Sequence, residues 1–187
     1  MTDDVREIAY QLAKKYSKIP VTKFAIEETD IMYQKHSMFQ VYYAQQAFIK
    51  YLLEKNKMFE YNIYSVNSKS NDDFYLIYKD NSKQLINIRP MPYPKTWFML
   101  ITKDRADVLQ KKSKLKDVLL IGVRHLSKTE EAIEGFCTLA ECDFEAEGKG
   151  FNKKGIPTYY AHISKLHDIA ILLNQLQEGQ GIVNYGL

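Results

Sequence analysis

What the chain lacks narrows its chemistry first. Two cysteines, Cys137 and Cys142, in 187 residues are too few for a disulfide-stapled fold, and no second Cys/His pair follows at zinc-site spacing. With an opening Met1-Thr2-Asp3-Asp4 that does not resemble a signal peptide, this usage predicts a reducing, cytoplasmic setting. The eight glycines form no glycine-rich strand-to-helix turn, so neither a P-loop nor a dinucleotide fingerprint is present. No Gly-x-Ser-x-Gly occurs and neither cysteine has a histidine beside it in sequence, which leaves covalent acyl-enzyme chemistry without support. No apolar run approaches the roughly 18 residues that span a bilayer. An excess of one charge is missing too. Lys and Arg total 26 against 23 Asp and Glu, a net charge of +3, so any nucleic-acid contact is local rather than spread along the chain.

What remains is a hydrophobic content of 45%, enough for one domain with a sizeable core. The pattern divides into an N-terminal helical extension (1–36), a core (37–178) and a tail (179–187). Val5, Ile8, Ala9, Leu12, Ala13 and Tyr16 recur at helical spacing and Pro20 follows, predicting an N-terminal amphipathic helix. A second helix is expected over 37–57, with Val41, Ala44, Phe48 and Leu52 on one stripe. Gln45 falls within that stripe and Gln46 points away from it. An inward Gln45 needs partners for its amide, and a neighbouring backbone group is the ordinary one.

Strand-like alternation follows over 59–66. Residues 74–79 and 84–89 then flank the turn-forming Asp80-Asn81-Ser82, which reads as a hairpin. Pro90, Pro92 and Pro94 predict that the chain leaves the sheet before a third strand over 97–102. A short helix within 103–116 ends in lysines. Val118-Leu119-Leu120-Ile121 is an apolar run that fits a strand buried on both faces. A polar turn over 125–131, a return strand over 132–140 and a closing strand over 159–163 come next. Ser164 is the expected cap of a final helix through Leu176. These elements predict one α/β (α+β) domain, a central mixed sheet flanked by helices that takes in 61–63, 74–78, 84–89, 98–101 and 118–123.

The order of elements, with Leu85-Ile86-Asn87-Ile88-Arg89-Pro90, Ile133-Glu134-Gly135-Phe136 and Tyr159-Tyr160-Ala161-His162-Ile163-Ser164-Lys165-Leu166, resembles the PD-(D/E)XK restriction-endonuclease-like superfamily, in particular its small phage-type members. The likeness runs over about residues 37–176. It implies a restriction-endonuclease-like sheet and an Mg²⁺ held by a carboxylate at a strand start, with a second carboxylate and a lysine on the next strand. Asp72 or Asp73 matches the first carboxylate. Gln45 stands where the family's helix carries Glu. The paired positions on the next strand hold Leu76 and Tyr78 or, in the alternative register, Asn87 and Arg89.

The catalytic pattern is thus degenerate at Gln45, Asp72, Asp73, Asn87 and Arg89. The resemblance implies a non-catalytic, nuclease-like binding or assembly module without cofactor, in a viral or mobile-element nucleic-acid complex. The alternative is an Mg²⁺-dependent DNA nuclease with Asp73 as metal ligand and a further carboxylate from Glu27, Glu28 or Asp30. Nucleic acid, a protein partner and a second copy of the chain all stay open as partners. Lys111, Lys112, Lys114 and Lys116 are the densest positive charge and the first candidates for phosphate contact, with Lys149, Lys153 and Lys154 second and Arg89 third. A lysine-rich surface kept soluble by its charge is the plainer reading of the same residues.

Overall fold

The computed structural model describes residues 2–16, 37–64, 72–91, 97–113, 117–126, 131–146 and 155–186. The chain is mixed α/β. Among the described residues four α-helices occur: α1 (Thr2–Tyr16), α2 (Ser37–Glu54), α3 (Lys103–Ser113) and the short α4 (Ile169–Leu173). The nine described strands form two sheets. The larger has the order β6-β5-β3-β2-β1-β9 and the smaller β4-β8-β7. In chain order they are β1 (Phe59–Ile63), β2 (Asp73–Ile77), β3 (Lys83–Met91), β4 (Phe98–Thr102), β5 (Leu119–His125), β6 (Glu131–Thr138), β7 (Asp143–Glu145), β8 (Thr158–His162) and β9 (Ile182–Tyr185). No described helix is long and apolar enough to cross a membrane.

β1, β2 and β3 form an antiparallel meander. Its second turn is made as the sequence predicts: Asp80 Oδ1 accepts from the Ser82 N–H at 2.9 Å, and Asn81 takes the left-handed φ of 64° that its short polar side chain tolerates. β3 then pairs parallel with β5, which requires a crossover, and β4 with α3 supplies it.

Period-two alternation divides the interior into two cores. Phe59, Tyr61, Ile63, Phe74, Leu76, Ile86, Ile88, Leu119, Ile121 and Val123 face α2, and α1 packs on α2 from outside. Leu85, Met91, Leu120 and Cys137 face the other way, against Met99 and Ile101 of β4, Ala106 and Leu109 of α3 and Ala161 of β8. Because α2 lies between α1 and the sheet, it is buried well beyond one stripe. Gln46, expected to point outward, is only 8% exposed.

Three expectations are corrected. Residues 98–102 belong to the small sheet, where Met99 pairs with Ala161, and not to the central one. The chain does leave the central sheet before β4, as expected; β3 runs two residues beyond Arg89, with Pro90 opposite Val123 and Met91 opposite Arg124 of β5. Ser164 caps no long helix. Residues 163–165 form a 3-10 turn, after which Phe136 and His167 exchange two backbone hydrogen bonds of 3.0 and 2.7 Å, and this extended pairing delays the last helix. Asp168 caps it by accepting from the Ala170 N–H at 2.8 Å. The stretch read as a tail forms β9, parallel to β1. Gly181 makes that possible, since a Cβ there would lie 2.0 Å from the Phe59 ring.

Candidate functional site

Asp72 and Asp73 are adjacent in sequence, and at the start of a strand adjacent side chains point to opposite faces. Asp73 lies on the α3 side and is 5% exposed. The ammonium of Lys112, near the C-terminus of α3, donates to both its oxygens at 2.8 and 3.0 Å. Lys112 also sits 5.7 Å from the centre of the Tyr64 ring, a cation–π distance. β2 pairs Phe74 with Ile86 of β3, and one further step of that register sets Asp73 opposite Asn87. Asn87 and Arg89 therefore share the Asp73 face, while Leu76 points the other way into the α2 core. Of the two pairs of positions that the sequence offers, Asn87 and Arg89 is the one that shares a face with Asp73.

The α3 face is cationic. Arg89 Nε donates to the Leu100 carbonyl of β4 at 2.6 Å. Burial, and then the charge of Arg105, lowers its pKa to about 10, so it stays protonated at neutral pH. Burial also lowers Arg105, against the opposing pull of Asp73 and Asp72; its guanidinium reaches the Asp72 carbonyl at 3.5 Å. Asn87 is 8% exposed and its Oδ1 has no hydrogen-bond partner among the described residues.

Asp72 lies on the α2 side among hydroxyls. The Tyr64 N–H donates to Oδ1 at 3.1 Å and the Tyr61 hydroxyl lies 3.4 Å from Oδ2. Burial raises its pKa; hydrogen bonds from the Tyr64 N–H and the Tyr42 and Tyr61 hydroxyls, with the charge of Arg105, oppose the rise. The Tyr61 hydroxyl also donates to Gln45 Oε1 at 2.6 Å. Gln45 is thus turned inward as its helical position predicts, 7% exposed, with a tyrosine side chain as partner in place of a backbone group.

Of the lysines expected to touch phosphate, Lys111 is exposed on the last turn of α3, whereas Lys112 is corrected to an internal ion-pair partner. Lys114, Lys116, Lys149, Lys153 and Lys154 lie outside the described residues, as do Glu27, Glu28 and Asp30. Residue-by-residue reading missed Arg105, Tyr42, Tyr61 and Tyr64. A signal for the first was present: Arg105, Leu109 and Lys112 follow i, i+4, i+7 spacing and fall on one face of α3.

Mg²⁺ takes up near-octahedral oxygen coordination and favours carboxylates. Here both Asp73 oxygens are held by Lys112, Asp72 faces the opposite layer, and among the described residues no group of three or more His, Cys, Asp or Glu is placed to hold a metal. The described residues do not fit the ion that the resemblance implies.

Fold and site together define a mixed α/β domain with a hydrophobic core and a few buried polar groups on each side of its central sheet. Compared with protein-family models, curated proteins and solved structures, the chain finds no match.

Proposed function

We propose that the chain is a non-catalytic, nuclease-like module that binds or assembles within a nucleic-acid complex of viral or mobile-element type. One observation carries the non-catalytic half: the Lys112 ammonium occupies both oxygens of Asp73. Metal-assisted phosphodiester attack needs a carboxylate free to hold the cation and a second group to orient water. A carboxylate already neutralised by an internal lysine offers neither. The binding half rests on the lysine run that begins at exposed Lys111 and continues through Lys114 and Lys116. Contacts of that kind go to phosphate and carry no base sequence.

The test has two arms. Purified protein with Mg²⁺ or Mn²⁺ is expected to leave single- and double-stranded DNA intact at any rate that Asp73→Ala abolishes; metal-dependent cleavage lost in that variant would revive the nuclease reading. In a duplex titration, affinity is expected to fall linearly with log salt, by about 0.9 per neutralised phosphate. A Lys111→Gln, Lys114→Gln, Lys116→Gln triple variant, which spares structural Lys112, should lose both affinity and slope. Equal affinities and slopes for variant and wild type remove this surface as a nucleic-acid contact.

A further inference from the structure

Cys137 and Cys142 stand apart from the Asp72/Asp73 region, at the junction of the two sheets. Cys137 ends the buried part of β6 in the large sheet; after a 3-10 turn over Leu139–Glu141, Cys142 precedes β7 of the small one. Both are free thiols, Cys137 fully buried and Cys142 half-buried. Their sulfurs are 3.8 Å apart, whereas a disulfide needs about 2.05 Å, so closure asks for a movement of about 1.8 Å.

The turn that carries them is held from several sides. Asp117 accepts from the Val118 N–H and the Ala140 N–H, each at 2.8 Å. Glu141 Oε2 accepts from the Thr138 N–H and hydroxyl at 2.7 and 2.9 Å, and its Oε1 lies 2.6 Å from His167 Nε2. These bonds fix the backbone between the sulfurs, so the two thiols meet with little further ordering to lose. Such preorganisation raises the effective concentration of one thiol at the other. No third His, Cys, Asp or Glu among the described residues joins them in a metal-holding group.

We propose that Cys137 and Cys142 form a reversible dithiol–disulfide couple, a modification site whose oxidant is a low-molecular-weight disulfide of the glutathione class. Cys142, the more exposed sulfur, attacks first. Its proton goes to solvent, its thiolate displaces one half of the small disulfide as a thiolate, and a mixed disulfide forms on Cys142. The Cys137 sulfur then attacks the Cys142 sulfur, the protein S–S bond forms, the mixed S–S bond breaks and the second small thiol leaves. The protein loses two electrons and two protons, and one small disulfide becomes two thiols. The hydrogen bond from Cys137 lowers the Cys142 pKa, more than burial and then Asp117, Asp143 and Glu141 raise it; Cys137 itself is raised. That asymmetry agrees with the order of attack. Oxidation would tie the end of β6 to the start of β7 and stiffen the one turn that joins the two sheets at this corner.

The test uses the folded chain and excess oxidised glutathione at neutral pH, read by thiol count and intact mass after acid quench. Wild type should go from two free thiols to none, lose two hydrogens in mass and retain no glutathione. Cys137→Ser should retain one glutathione on Cys142, and Cys142→Ser should keep its remaining thiol while folded. Cys137→Ala, which leaves an apolar group in the core, repeats the first arm should the serine variant unfold. A lasting glutathione adduct on wild type, thiols that react only in denaturant, or a disulfide between two chains would each overturn the proposal.

Discussion

The two faces of the central sheet handle buried polarity in opposite ways. Toward α2 the polar groups are mostly uncharged: the hydroxyls of Tyr42 and Tyr61, the Gln45 amide, His125 held neutral by burial, and Asp72 pushed toward protonation. Toward α3 several are ions in pairs, Asp73 with Lys112, Glu60 with Lys83 and Glu134 with Arg124, and the guanidinium groups of Arg89 and Arg105 lie beside them on backbone carbonyls. The α2 face is covered by a second helix layer, α1, so a charge there is less readily hydrated. On the α3 face Lys112 and Lys83 keep 27% and 52% of their side chains exposed, so a cation can pair inward while part of it stays hydrated. Two neighbouring carboxylates meet these two regimes through nothing more than strand alternation.

The contrast can be broken most sharply at His125. It is 1% exposed, its ring lies tilted 4.6 Å from the Tyr43 ring, and neither nitrogen has a hydrogen-bond partner among the described residues. Burial lowers its pKa to about 4, whereas the unfolded chain takes up the proton below about 6.5. Its contribution is therefore intact above pH about 6.5 and lost as pH falls toward 4, a loss of about 3 kcal/mol. Urea unfolding at a series of pH values should show this acid limb in wild type and a flatter one in His125→Phe, which keeps an aromatic ring against Tyr43. An unchanged acid limb in the variant would mean that the α2 face is not the acid-sensitive one.

On the ionic face, Lys112→Met should cost about 2 to 3 kcal/mol, since it leaves a buried carboxylate with its main partner gone; the partial exposure of Lys112 keeps the cost at the lower end. Adding Asp73→Asn to that variant should recover most of it, and a double-mutant cycle by denaturant unfolding measures the coupling. The smallest expected effect is a gain. A carboxylic acid whose folded pKa is raised adds stability below its ordinary pKa and loses that contribution as pH rises through the folded value. Asp72→Asn should thus stabilise the protein at neutral pH, with the difference from wild type closing on acidification. A loss of stability at neutral pH would mean that Asp72 is held as a needed anion after all.

Sequence alone made the hairpin, the buried β5 and the inward Gln45 legible, because each depends on local periodicity. The missed features depend on what lies across space. Five residues of alternating burial in β4 do not encode which sheet they join. Lys112 reads as a solvated or phosphate-seeking lysine until α3 is docked, because Asp73 is 39 positions away in the chain. His125, read as part of a polar turn, is buried at the end of β5 because α2 places Tyr43 over it. β9 escaped notice because four residues carry little pattern and its partner strand lies far upstream.

That last strand has a kinetic consequence. Nine residues lie between β1 and β2 in the chain and five between β2 and β3, whereas Asn184 of β9 meets Asn62 of β1 across a separation of 122 residues, with their side-chain amides 2.8 Å apart. Loop-closure entropy makes such a contact a late one, formed once the intervening chain is compact. β9 also presents Ile182 and Tyr185 more than half exposed. The edge beside β1 is thus covered late as the chain folds, and until then β1 is paired on its β2 side alone.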